Sequence, residues 1–159
     1  MPSDIPDSIV FPWVSRSVST QLPDEPDGNE HLALNRMASW PDELRDLLER
    51  ACFANFLDMV YAIDASPPTV PAIKTVAGVW DHMDIRVVTP HGAEHILVYV
   101  VPEWDEDEHM EWCFRGDKLL YVGQFLGYSP DGYDGFDESA NPDHIDRTIA
   151  EYAHLTDAW

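Results

Sequence analysis

Three short stretches hold residue types that do chemistry. "PHGAEH" sets His91, Glu94 and His95 around a tight turn, a ligand set that would suit Zn²⁺ if the turn converged it. It is not HExxH, it is not on a helix, and strand alternation sends Glu94 and His95 to opposite faces. Exposed turn residues are the plainer reading. "DGYDGFD" places Asp131, Asp134 and Asp137 at steps of three. An EF-hand wants acids at loop positions 1, 3 and 5, Gly at 6 and Glu at 12. The spacing therefore suits only a looser Ca²⁺ or Na⁺ site, against a wet loop whose Tyr133 and Phe136 tuck under a sheet. His91, His95, Asp131, Asp134 and Asp137 are thus weak metal candidates.

The third stretch is "WDHMD". On a strand, His82 and Asp84 share one face about 7 Å apart, beside Arg86. An acid/base pair is conceivable, but no nucleophile motif stands next to it, and a cross-strand salt network explains the same residues. Cys52 and Cys113 form no CxxC, and Cys113 has only Arg115 as a basic neighbour in sequence. A reactive thiolate wants a more electropositive setting. GxSxG, P-loop and GxGxxG patterns are absent. The expectation is a non-enzymatic protein with no catalytic residue and no cofactor.

Charge points to the function class. The 159 residues carry 30 acids against 9 bases, a formal charge of −21, and only Lys74 and Lys118 among the bases are lysines. The acids run through the whole chain instead of forming a tail. Dispersed Asp and Glu with almost no Lys fit adaptation to molar salt, where the Debye length falls to about 3 Å and self-repulsion is screened. No basic stripe exists to release counterions from nucleic acid, and no run reaches the ~20 apolar residues of a membrane span. "MPSDIPDSIVFPW" lacks the basic and apolar regions of a signal peptide, so the cytoplasm, or a virus particle, is expected. The partner expected is another protein, basic or a second copy of this chain. It would be met by an inhibitor or immunity-type binder, or by a subunit of a larger assembly. A nucleic-acid mimic and a small metal-dependent enzyme are the alternatives.

The elements that must position these residues follow from periodicity. Residues 1–30 read as a Pro/Asp-rich extension or arm, with one apolar run, "SIVFPWV", that suits an edge strand since Pro12 bars it from a central place. Residues 31–159 read as one α+β domain. "HLALNRMASW" suits a short helix. "SWPDELRDLLERACFANFLDMVYAID" is a long one: Pro41 suits the first helical position, Asp42 and Glu43 the dipole, and Leu44, Leu47, Leu48, Ala51, Leu57, Val60 and Tyr61 make an apolar stripe. The period then changes to two. "VWDHMDIRVV", "HILVYVV", "MEWCFR" and "KLLYVGQFLGY" form a four-stranded antiparallel meander, its last turn at Gly116-Asp117. "NPDHIDRTIAEYAHL" closes as a shorter C-terminal helix capped by Asn141.

Uninterrupted alternation pairs Ile85 with Val98 and Trp112 with Tyr121. One face then holds Met83, Ile85, Val87, Ile96, Val98, Val100, Trp112, Phe114, Leu119 and Tyr121, which is core. The other holds Leu97, Tyr99, Val101, Cys113, Leu120 and Val122 beside polar His82, Asp84 and Arg86. Such a face needs cover from the C-terminal helix, the N-terminal run or another molecule. The interface candidates are Ile9, Phe11 and Trp13 of the arm, Leu97, Tyr99, Val101, Leu120 and Val122 of the sheet, and the tryptophans Trp104 and Trp159. "VPEWDEDEHMEW", with acids between two tryptophans, falls at the second hairpin tip over residues 103–109 and reads as a solvated turn.

Overall fold

Pro41 cannot donate a backbone hydrogen bond, and it stands just ahead of the longest helix. Helix α2 runs Asp42–Ile63, with Pro41 extended at the N-cap (φ −74°, ψ 157°), one position earlier than its expected place at the first helical residue. Asp42 and Glu43 fill the first turn, where the dipole favours anions. The helix ends at Asp64 in the left-handed region (φ 49°). Leu44, Leu48, Ala51, Leu57 and Val60 are buried as the stripe requires, but Tyr61 is exposed and stacks on Tyr152 at 4.5 Å. The shorter α1, Glu30–Met37, buries Ala33, Leu34 and Met37. Its first residue, Glu30, is itself buried and accepts the backbone N–H groups of Asp27 (3.1 Å) and Gly28 (3.0 Å). Helix α3, Pro142–Tyr152, starts at Asn141, whose Oδ1 accepts the Asp143 N–H at 2.9 Å. This computed structural model describes residues 5–126 and 137–159.

The sheet corrects the expected meander. It has six strands in sequence order: β1 Ser8–Val10, β2 Ser17–Thr20, β3 Met83–His91, β4 His95–Pro102, β5 Met110–Arg115 and β6 Lys118–Gln124. Neighbours are antiparallel except β2 and β3, which run parallel through Ser19↔Val87 and Thr20↔Val88. The presumed arm is therefore a hairpin added to the sheet edge. Phe11, in its turn, is fully buried, with its ring 6.2 Å from that of Trp112 and 6.5 Å from that of Trp40. The physical reason is apolar burial: Phe11 gains more by entering the chain's own core, beside Trp40 and Trp112, than by staying in water.

Two β-bulges correct the register. Between Ile85 and Val87 the β3 strand gains a residue, so Ile85 pairs with Val100 and Val87 with Tyr99. Between Cys113 and Phe114 the pairing shifts again, so Trp112 faces Val122 while Phe114 still faces Leu119 across the Gly116 turn (φ 62°). A bulge adds one residue to one strand and exchanges faces beyond it. Val88 takes the core place expected of Val87, and Val122 that expected of Tyr121. The helical layer covers the core face alone: α3 packs on α2, and α2 packs on β6. The C-terminal helix does not cross to the outer face.

Candidate functional site

On that outer face, paired residues line up in rows. One row runs Ser19, Val87, Tyr99, Glu111, Gly123 across β2 to β6. The next runs Thr89, Leu97, Cys113, Tyr121 across β3 to β6. Val87, Tyr99 and Glu111 of the first row and Thr89 and Leu97 of the second, with His91 beyond them, line a half-open cleft of about 450 Å³, which residues 21–24 and Phe125 complete. The first wall exists since Gln21 continues the parallel pairing, its N–H reaching the Val88 carbonyl at 3.0 Å, before Leu22 and Pro23 turn over the sheet. The second is set by the Phe125 N–H on the His109 carbonyl at 3.0 Å. The Tyr99 ring lies edge-on to His109 (5.1 Å) and to Phe125 (5.4 Å).

A carboxyl group is at the bottom. Glu111 lines the cleft and is only 3% exposed, while Phe125 at the rim is 45% exposed. Gly123, the strand partner of Glu111, carries no side chain, and the Tyr121 ring occupies that place. A Cβ there would lie 2.7 Å from the Tyr121 hydroxyl, which donates to the Gln124 carbonyl at 2.6 Å. The cleft thus combines a buried carboxyl group with aromatic and aliphatic walls, the usual composition of a site for an amphipathic guest. Glu111 escaped sequence reasoning, which saw it only as part of an acidic run. Its signal was its parity with Cys113 on the strand.

The other candidates are dispersed. Leu97 and Tyr99 line the cleft. Val101 pairs with Asp84 nearer the other end of β4 and is half-buried. Leu120 is buried with Cys113 and Tyr121, and Val122 lies in the main core. Trp104 is buried, its indole N–H donating to Asn55 Oδ1 at 2.9 Å. Trp159 rests edge-on to Phe56 at 6.1 Å. Ile9 is half-buried against the core, and Trp13 packs among Phe11, Trp40 and Trp80. Phe11, Trp104, Leu120 and Val122 are therefore occupied by the fold itself. The hairpin tip over residues 103–109 keeps Glu106, Asp107 and Glu108 exposed, as a solvated turn requires. Burial pushes the Asp105 carboxyl up.

His91 and His95 are direct cross-strand partners on the outer face. Glu94 instead holds Arg115 at 3.3 Å. Asp137 caps a short 3₁₀ turn, Glu138–Ala140, by accepting the Ser139 N–H at 2.8 Å. Asp131 and Asp134 lie outside the described residues. Among the described residues no group of three or more His, Cys, Asp or Glu is placed to hold a metal ion. His82 and Asp84 enter salt networks: His82 Nδ1 meets Glu103 Oε2 at 2.6 Å, and Asp84 binds Arg16 at 3.1 Å and Arg86. Cys52 is buried, which pushes its thiol far up and keeps it inert. A smaller cavity of about 140 Å³ opens by α2 and α3, where desolvation raises the Asp58 carboxyl. Among the described residues no helix is long and apolar enough to cross a membrane.

Residues 8–129, which include all six strands and the cleft, match the model of a family described as Domain of unknown function (DUF6985). No curated protein and no solved structure matches the chain.

Proposed function

The chain belongs to this family of unknown function, and we propose that it is a non-enzymatic protein–protein interaction module that docks a basic partner on the outer face of its sheet. The observation that carries this reading is the cleft, a built depression with a buried carboxyl group on its floor. Electrostatic complementarity supports it further. A chain of net charge −21 steers cationic surfaces toward itself and repels acidic ones. An inhibitor or immunity-type binder, or a subunit of an assembly in a salt-rich cell, would use such a face.

The test is retention on the immobilised full chain at molar KCl, compared with Leu97→Lys. That substitution puts a cation into the cleft and leaves the helical layer alone. Proteins held by the wild type and lost by the variant should be basic. If the same proteins stay bound to the variant, or if those lost are acidic, the proposal fails.

A further inference from the structure

Resting on the proposed docking of a basic partner, we infer that the cleft takes one aromatic side chain of that partner, from an extended segment whose basic residues flank the ring and meet acidic loops at both ends of the sheet. Three observations converge. First, the floor asks for no charge. Glu111 is 3% exposed and, like His91, is already engaged within the fold, so neither awaits a guest. A charged head would lose water there with nothing new to meet, whereas an apolar one gains by leaving water. Second, the rest of the lining is mostly apolar: Leu22, Pro23, Val87, Leu97, Tyr99 and Phe125. Phe125 stands edge-on to Tyr99 at 5.4 Å and is still 45% exposed, a ring open to a further aromatic neighbour. Third, exposed acids bracket the cleft. Asp24 lines it and leads into Glu25 and Asp27, and a Cβ at Gly92, in the β3–β4 turn, would lie 3.1 Å from Asp27 Oδ2. At the opposite end of the sheet Glu106, Asp107 and Glu108 are exposed in the loop from β4 to β5. The Phe125 N–H on the His109 carbonyl and a Gln124–Glu108 hydrogen bond tie that loop to the Phe125 wall.

Ring and bases have separate tasks. The ring supplies the buried contact that carries affinity, and the bases at the wet rim set the sign and the register of the partner. Strand β4 runs for eight residues between the two acidic loops. That is roughly 26 Å, which an extended guest covers in about eight residues. An anchor at its middle therefore has a base about three positions away on each side, the long basic side chains closing the remainder. Lysine and arginine both serve there, because the acids they meet stay in water and demand no fixed donor geometry.

The experiment is an NMR titration of the full-length ¹⁵N-labelled protein in ~1 M KCl, which screens the general acidity of the surface. The probe is acetyl-Arg-Gly-Gly-Phe-Gly-Gly-Arg-amide. One counterpart carries Ala in place of Phe, and the other carries Glu in place of both Arg. The probe should shift the amides of Val87, Leu97, Tyr99 and Phe125. The alanine peptide should bind about ten-fold or more weakly, the loss of a buried anchor, and the glutamate peptide about five-fold more weakly. Phe125→Ala, at an exposed position, should weaken the probe about three-fold and leave the alanine peptide unchanged. Asp24→Asn/Glu106→Gln, one exposed acid from each loop, should weaken the probe about two-fold and narrow its lead over the glutamate peptide. Asp46→Asn/Glu151→Gln removes two exposed charges from α2 and α3 and should change nothing. The inference is overturned if the alanine or the glutamate peptide binds as well as the probe, or if shifts spread over the acidic surface. It is overturned equally if Asp46→Asn/Glu151→Gln weakens binding as much as Asp24→Asn/Glu106→Gln does. Loss of basic partners from Leu97→Lys together with equal binding of the phenylalanine and alanine peptides would sink the anchor and leave the docking proposal standing. If Leu97→Lys also retains every partner, both fall.

Discussion

Val87 and Val88 are adjacent, chemically identical and separated in fate by one β-bulge, so truncating each in turn tests the register directly. Val88 is 0% exposed and packs in the main core, whereas Val87 is half-buried and lines the open cleft. Val88→Ala deletes two carbons from a filled space. At about 0.8 kcal/mol per buried carbon the transfer loss is about 1.6 kcal/mol, and the unfilled volume raises it to about 2–3 kcal/mol. Val87→Ala removes the same atoms from a wall that water already reaches, and should cost less than about 1 kcal/mol. Urea melts at fixed 2 M KCl measure both, and equal slopes confirm that only stability has changed. Uninterrupted alternation from Ile85 requires the opposite order. If Val87→Ala proves the more costly, the bulge is absent and the floor of the cleft is wrongly built.

Trp112→Ala should cost about 3–5 kcal/mol, because the ring is fully buried between Phe11 and Trp80; Glu106→Ala, at the exposed tip, should leave the same melt unchanged. Thermal stability should climb steeply between ~0.1 M and ~2 M KCl as self-repulsion is screened, and a flat profile would remove salt adaptation as the cause of the acidity. Asp27 accepts the Asn29 N–H at 2.8 Å, and that bond holds its carboxyl below the ordinary range. A carboxyl depressed in the fold adds stability above its unfolded pKa and loses it as pH falls through the depressed value. Asp27→Ala should therefore lower the melting temperature at pH 7, with the gap to wild type closing below about pH 4.

Local signals were legible in the sequence, and non-local ones were not. The long helix, its acidic first turn and its stop at Asp64 were readable because each rests on residues a few positions apart. So was the Asn141 cap, and so was the Gly116-Asp117 turn. The second strand was not: "SVST" has a single apolar residue, Val18, and its parallel pairing with β3 lies far off in sequence. The bulges left no mark either, since valine at 87 and at 88 satisfies both registers. The site inherited that blindness. Leu97 and Tyr99 were found by alternation upstream of the second bulge. Tyr121 and Val122 exchanged faces beyond it, and Glu111 was hidden among acids that are merely wet.

The parallel join of β2 to β3 has a consequence for synthesis. Ser19 meets Val87 only after about 70 further residues have been made. At about 5–20 residues per second on a ribosome, the first hairpin waits roughly 4–14 s for its neighbour. During that interval its Ser17–Thr20 edge has no β3 to join, and the Phe11 ring has Trp13 and Trp40 within reach but not yet Trp112. Pro6 and Pro12, on either side of β1, deny a passing strand a continuous ladder there, and the brevity of both strands limits any wrong pairing. The segment that looks least structured in the sequence is thus built to remain uncommitted in the nascent chain until the rest of the sheet exists to receive it.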